Sequence, residues 1–190
     1  MIGDMPAAWT VLGLVVLQRV FELYLARRNT LVLKAEGAYE VGAGHYPVIV
    51  AVHGAGLASI AAWIAVGTTE ISLMWLIAYV VLQAARVWVM VSLGRYWTTR
   101  IIVVPHATLV VVGPYRYLKH PNYWVVAAEI ATLPMVFDAW PLAVSFSVLN
   151  AAVLAMRIAI ESRSLEQRAA SMARPRATNQ SVSQPSTMLH

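Results

Sequence analysis

Five apolar runs separated by short polar breaks organise the chain, at roughly 8–26, 47–66, 71–93, 123–137 and 139–160. A helix that crosses a bilayer needs about 20 mostly apolar residues, with about 17 to 25 usual. The fourth run is short. With the fifth it predicts a tight helical hairpin turning at 138–141 (DAWP), as the GTTE stretch at 67–70 predicts a brief turn between the second and third. The pattern is that of an all-α integral membrane protein with about five transmembrane helices.

Composition agrees. Of 190 residues, 59% are hydrophobic and 12% charged, against about 25% charged in a soluble domain. With no cysteine, disulfides, thiolate metal sites and a Cys nucleophile are excluded. The opening MIGDMPAAWT lacks the basic region of a cleavable signal, so the first run is expected to be retained.

Charge placement sets an orientation. Arg27, Arg28 and Lys34 follow the first run; Arg95, Arg100, Arg116 and Lys119 lie between the third and fourth; Arg157, Arg163, Arg168, Arg174 and Arg176 close the fifth. The opposite side holds Asp4, Glu70 and Asp138 and no Lys or Arg. The positive-inside rule then predicts an outer N-terminus, a cytoplasmic C-terminus and an odd number of spans in the cytoplasmic membrane. Between the third and fourth runs, two β-branched stretches, 101–104 and 109–112, are split by Pro105 and His106 and predict short strands or a hairpin at the membrane surface. The Ser-, Gln- and Pro-rich stretch 169–190 reads as a disordered tail.

Ionisable residues within spans are expensive and suggest function. Arg19 and Glu22 are three apart, share a helix face and can pair. Arg86 lies two turns from the basic end of its run, where it either snorkels or serves a site. Glu129 lies two turns into the fourth run, and Arg157 and Glu161 close the fifth. His53 reads as a helix-packing hydrogen bonder; His45 precedes Tyr46 and Pro47 at a helix entrance. No HExxH or paired-His spacing appears, so no metal site is expected. GAGLAS, beginning at Gly54, lies inside an apolar run with no strand before it and reads as small-residue helix packing.

The stretch GPYRYLKHPNYW, 113–124, departs from its apolar surroundings. Gly113 and Pro114 make a turn, and Pro121 suits the first turn of a new helix. A helix start offers free N–H groups and partial positive charge to a carboxylate or phosphate. An imidazole, a guanidinium, an amide and several aromatic rings surround it. A small polar ligand with a carboxylate and an aromatic base fits this set, and so does an ordinary interfacial loop.

GPYRYLKHPNY resembles the G-P-Y-x-Y-x-R-H-P-x-Y signature of the isoprenylcysteine carboxyl methyltransferase (ICMT)-like and phospholipid methyltransferase superfamily. That superfamily's second signature, Arg-Ile followed by Glu and Leu, is matched by Arg157, Ile158, Glu161 and Leu165. Lys119 replaces the usual Arg, and Ser162 stands where a second Glu is common. The flanking QRVFELYLARRN, EGAYEVGAGHYP and LGRYWTTRIIVVP are similar to a bacterial subgroup that accompanies type III polyketide synthases and O-methylates alkylpyrones or alkylresorcinols.

The resemblance implies a single membrane-embedded methyltransferase domain over 1–168, with a cytoplasmic cofactor-binding segment between helices 3 and 4. It implies methyl transfer from S-adenosylmethionine (SAM) to a phenol, enol or carboxylate oxygen of a lipophilic acceptor entering from the bilayer. The implied partners are that acceptor, membrane lipids and possible pathway neighbours such as a type III polyketide synthase, and no nucleic acid. By the resemblance, Tyr117, His120, Pro121, Asn122, Arg157 and Glu161 border SAM. Arg86, Glu129, Arg100 and His45 are candidates on the acceptor side: Arg100 or Arg86 to stabilise an oxyanion, His45 or Glu129 to accept a proton. The alternatives are a prenylcysteine carboxyl or phospholipid methyltransferase, an NADPH-dependent membrane reductase, and a non-enzymatic membrane protein.

Overall fold

In the computed structural model, residues 5–67, 69–105, 107–108 and 110–173 are described; the side chains of His45 and of 164–173 are not. Among the described residues five α-helices carry the fold: α1 (Met5–Ala35), α2 (Tyr46–Val66), α3 (Leu73–Leu93), α4 (Pro121–Val136) and α5 (Trp140–Ala173). Two short strands, β1 (Tyr39–Val41) and β2 (Ile101–Val103), lie in the connections. The chain is an all-α integral membrane protein in which α1, α2, α3 and α5 are long and apolar enough to cross a bilayer.

Helix α1 outruns its apolar stretch, continuing through Arg27, Arg28 and Lys34 because nothing there breaks a helix. It stops at Gly37, whose φ of 91° is left-handed. Ala38 N–H donates to Leu33 O at 3.0 Å and Gly37 N–H to Lys34 O at 3.1 Å, the paired bonds of a Schellman ending. Helix α5 likewise runs past the expected domain boundary to Ala173, and the rest of the expected tail lies outside the described residues.

With 16 residues, α4 is roughly 24 Å long, short of a hydrocarbon core of about 30 Å. It packs between α3 and α5. Its hairpin to α5 turns on Asp138 at φ 53°, with Ala139 N–H donating to Pro134 O at 3.0 Å. Ser72 N–H donates to Val136 O at 3.0 Å and fastens the α2–α3 connection to the same place. Leu12, Ile60, Ile64, Leu133, Val136 and Phe137 form a core at this end of the bundle. Elsewhere large apolar side chains face outward, among them Leu17, Phe21, Val81 and Val148, as a lipid-facing surface requires.

The strands differ from the expected hairpin. Ile101–Val103 pairs antiparallel with Tyr39–Val41 from the α1–α2 connection, in the register Glu40 opposite Ile102. The second β-branched stretch forms no strand among its described residues. Pro105, two residues past the end of β2, has no N–H for a ladder, while the first connection supplies a better-placed partner. Gly113 then turns the chain at φ 58°, where a Cβ would collide with the Ser92 side chain. Glycine is required on both counts.

Candidate active site

The α3–α4 connection, with the first turn of α4 and the facing part of α5, lines a cavity of about 400 Å³ that carries Arg100, Lys119, Arg157 and Glu161 on otherwise mostly apolar walls, within the roughly 300–1,000 Å³ range of small-molecule pockets. Strand β2 forms one wall, and β1 pairs with it from behind, with Glu40 as the clip. Its carboxylate accepts from Lys34 Nζ at 2.7 Å and Arg100 Nη1 at 2.6 Å. The Arg100 guanidinium also lies 4.1 Å from the Tyr46 ring centroid. Asn29 Nδ2 donates to Trp97 O at 2.9 Å, tying α1 to the loop that carries this wall.

Burial raises the Glu40 carboxyl, but the hydrogen bonds from Lys34 and Arg100 outweigh it and hold it below the ordinary carboxylate range. A folded-state value below the unfolded one adds stability above the ordinary range near 4, and loses it as pH falls through the lowered value. Thermal unfolding of wild type is therefore expected to drop between about pH 5 and pH 3. Glu40→Gln, with no carboxyl to protonate, should show a smaller drop across that window; an equal drop would remove Glu40 as its source.

The opposite wall is the first turn of α4 against the middle of α5. Arg157 and Glu161 are four apart on α5 and share a face. Tyr123 O–H donates to Glu161 Oε2, and Arg157 Nε donates to Tyr123 Oη at 3.0 Å. His120 stacks on Tyr123 with ring centroids 5.3 Å apart, and its Nδ1 lies 3.9 Å from Glu161 Oε2. Burial first, and then the Glu161 charge, push the Tyr115 phenol up to about 12. Asn122 Oδ1 is buried without a hydrogen-bond partner.

Of the residues expected at the cofactor, His120, Asn122, Arg157 and Glu161 line this cavity together. Pro121 is buried as the first residue of α4. Tyr117 is 76% exposed and stands outside, while Tyr115 and Tyr123 contribute their rings instead. Lys119 lines the cavity in place of the usual Arg.

A second cavity of about 270 Å³ lies inside the bundle among α1, α2, α4 and α5. It shares Trp97, Thr98, Asn122, Tyr123 and Arg157 with the first. Its walls are otherwise mainly apolar, from Val16 and Leu23 to Val50, Leu57 and Val153. A smaller pocket of about 100 Å³ continues inward past His53, Leu57 and Val126.

The acceptor-side candidates fare differently. Arg100 lines the first cavity. The His45 backbone closes a 3-10 turn before α2, but its side chain lies outside the described residues. Arg86 is buried rather than snorkelling. Its Nε and Nη2 each donate to Glu22 at 2.6 Å, and its Nη1 to Glu129 Oε2 at 2.8 Å. Arg19 completes the set, 2.9 Å from Glu22 and 3.0 Å from Glu129. Gln83 Nε2 donates to the other Glu129 oxygen at 2.9 Å, and Gln18 Nε2 to Glu22 at 3.0 Å. Two arginines and two glutamates make a neutral, mutually saturated cluster across α1, α3 and α4. Both Glu129 oxygens are therefore engaged.

A profile of the Isoprenylcysteine carboxyl methyltransferase (ICMT) family matches residues 73–167. The chain belongs to the ICMT family. It is a membrane methyltransferase of the SAM-dependent kind. The chain is also 40% identical over 162 residues to Uncharacterized protein YpbQ of Bacillus subtilis (strain 168), an alignment covering 84% of this chain and 96% of that one. No solved structure matches. The family match spans α3, the signature stretch, α4 and most of α5, which carry the His120–Tyr123–Arg157–Glu161 wall. The α1 and α2 walls of the inner cavity lie outside it.

Sequence reasoning passed over Tyr115, Tyr123, Glu40 and Asn150. Tyr123 sits within the signature and was available to it. Asn150 was visible as an uncharged polar interruption of an apolar run, a weaker signal than a charge.

Proposed function

We propose that the chain transfers the methyl group of SAM to an oxygen of a lipophilic acceptor, an alkylpyrone or alkylresorcinol being the class its flanking sequence favours. The observation that carries this reading is the wall shared by the two cavities. A chamber carrying Lys119, His120 and Glu161 and a more apolar one share Asn122, Tyr123 and Arg157, so a water-soluble donor and a lipid-borne acceptor would lie against the same side chains. The family assignment favours this over a reductase or a non-enzymatic protein.

The residues present fit the cofactor. The unpartnered Asn122 Oδ1 is available to a donor group, and the Glu161 carboxylate suits an ammonium or ribose hydroxyls. Lys119, Arg157 and the uncapped start of α4 suit a carboxylate, and the rings of Tyr115, Tyr123 and His120 suit a purine. When bound, SAM supplies an electrophilic methyl group on a sulfonium sulfur. The protein's task is to hold the accepting oxygen in line and exclude water. Arg100, steadied by Glu40 and Tyr46, is placed to stabilise an oxyanion, so a phenol or enol ionises more readily. With Glu129 engaged on both oxygens, His45 is the better candidate to take the proton. Arg86 and Glu129 hold the helices around the acceptor. By the positive-inside rule the first cavity faces the cytoplasm, where SAM is found.

The test is incubation of purified protein with methyl-labelled SAM and a bacterial lipid extract. Label is expected in a lipid product as a methyl ether that survives mild alkali. Release as methanol would identify a carboxyl ester and move the reading to a carboxylate acceptor. Absence of lipid label from active preparations would overturn O-methylation of a lipid.

A further inference from the structure

The inner cavity contains polar groups that neither its helices nor the SAM wall use. Asn150, in the first third of α5, is 1% exposed, and its Oδ1 has no hydrogen-bond partner. Leaving such a group unmet is unfavourable. A helix that crosses lipid would sooner place a Leu there. Asn150 nevertheless lines the cavity. His53 lines it from α2. Its Nδ1 lies 2.8 Å from Ile49 O, so Nδ1 carries the proton and Nε2 presents a lone pair.

The charges nearby do not call for an anion. Arg19 and Arg86 reach the same cavity, but Glu22 and Glu129 already balance them. A carboxylate or phosphate brought here would add an unpaired charge to a low-dielectric interior. The fitting group is neutral. His53 Nε2 can only accept, whereas the Asn150 carboxamide both donates and accepts. A hydroxyl can donate its one proton to Asn150 Oδ1 or to His53 Nε2 and accept from Asn150 Nδ2; a carbonyl, with no proton to give, meets neither acceptor.

Depth adds a constraint. His53 follows Tyr46 by seven residues on α2, and Asn150 precedes Arg157 by seven on α5. At about 1.5 Å per residue, both stand roughly 10 Å deeper than the junction with the first cavity. We propose that Asn150 and His53 form a binding site for a neutral hydroxyl on the tail of the acceptor, about 10 Å from the oxygen that receives the methyl group and beyond the other ring oxygens of a pyrone or resorcinol. The proposal rests on the inner cavity being the acceptor site, and it makes these two side chains determinants of specificity.

Binding of neutral amphiphiles to the full-length protein in nanodiscs tests it. The probes are octadecanol and two octadecanediols, one with its second hydroxyl about 10 Å along the chain and one with it at the far terminus. The first diol is expected to bind roughly tenfold more tightly than either other probe. In Asn150→Leu and His53→Leu that preference should fall to about twofold or less. SAM titrations run alongside act as a fold check, because neither residue lines the first cavity. Equal affinity of wild type for all three probes overturns the site without recourse to any variant, and so does a preference that survives in both variants. A diol preference in a protein that does not bind SAM would support the site and overturn the methyltransferase reading instead.

Discussion

Glu161→Gln is expected to weaken SAM binding by roughly 10- to 100-fold, the equivalent of losing one charge-assisted hydrogen bond of about 1.5–3 kcal/mol. The side chain keeps its length and its place on α5, but its charge goes. What it loses is the partner for an ammonium or a pair of hydroxyls. It also loses the strong acceptor that holds Tyr123 O–H and, through it, Arg157. Tyr123→Phe separates the two contributions. It removes the hydroxyl link between Arg157 and Glu161 and leaves the carboxylate in place, so its effect should be smaller, on the order of 5- to 10-fold. Isothermal titration with SAM measures both variants, and single-turnover methyl transfer at saturating SAM shows whether the methyl step is also slowed. Unchanged SAM affinity in Glu161→Gln would place the cofactor elsewhere.

The members of this wall were legible through the resemblance to a family signature, and helix periodicity adds which of them share a face. Arg157 and Glu161 share a face by spacing alone, as do Arg19 and Glu22, and Pro121 marks a helix start wherever it falls in such a chain. The loop between β2 and α4 has no period. Nothing in PYRYL tells which tyrosine turns inward, and the structure seats Tyr115 rather than Tyr117. The strand pair was hidden for a related reason. Three-residue strands far apart in sequence carry too little pattern to declare a partner, and only the approach of the two connections at the basic end brings Tyr39–Val41 to Ile101–Val103. The charged cluster was half visible. Its four ionised members are conspicuous in apolar runs, but saturation of Glu129 depends on how α1, α3 and α4 rotate against one another. Gln18 and Gln83, which complete it, carry no charge to draw notice. That rotation changes the most plausible work of Glu129 from proton acceptor to structural partner.

Removing Arg86 is expected to cause the largest loss of stability. Arg86→Met keeps an unbranched apolar stem but leaves two buried carboxylates facing one guanidinium, a net negative charge among three helices. Breaking a buried ion pair from one side costs about 3–5 kcal/mol, a large part of a typical total stability of about 5–15 kcal/mol. Arg86→Lys should recover only part of this, since one ammonium cannot reproduce the side-on fork to Glu22 while also reaching Glu129. The informative variant is the double one. Arg86→Met with Glu22→Gln restores neutrality and leaves the Arg19–Glu129 pair, 3.0 Å apart, intact. If charge balance is what the cluster provides, the double variant should be more stable than Arg86→Met alone, with a coupling energy of about 1–3 kcal/mol in unfolding titrations from mixed micelles. If it is no more stable, the cluster acts through its hydrogen-bond geometry, and Gln83→Leu, which strips one bond from Glu129 without changing charge, should then cost as much as the loss of Arg86.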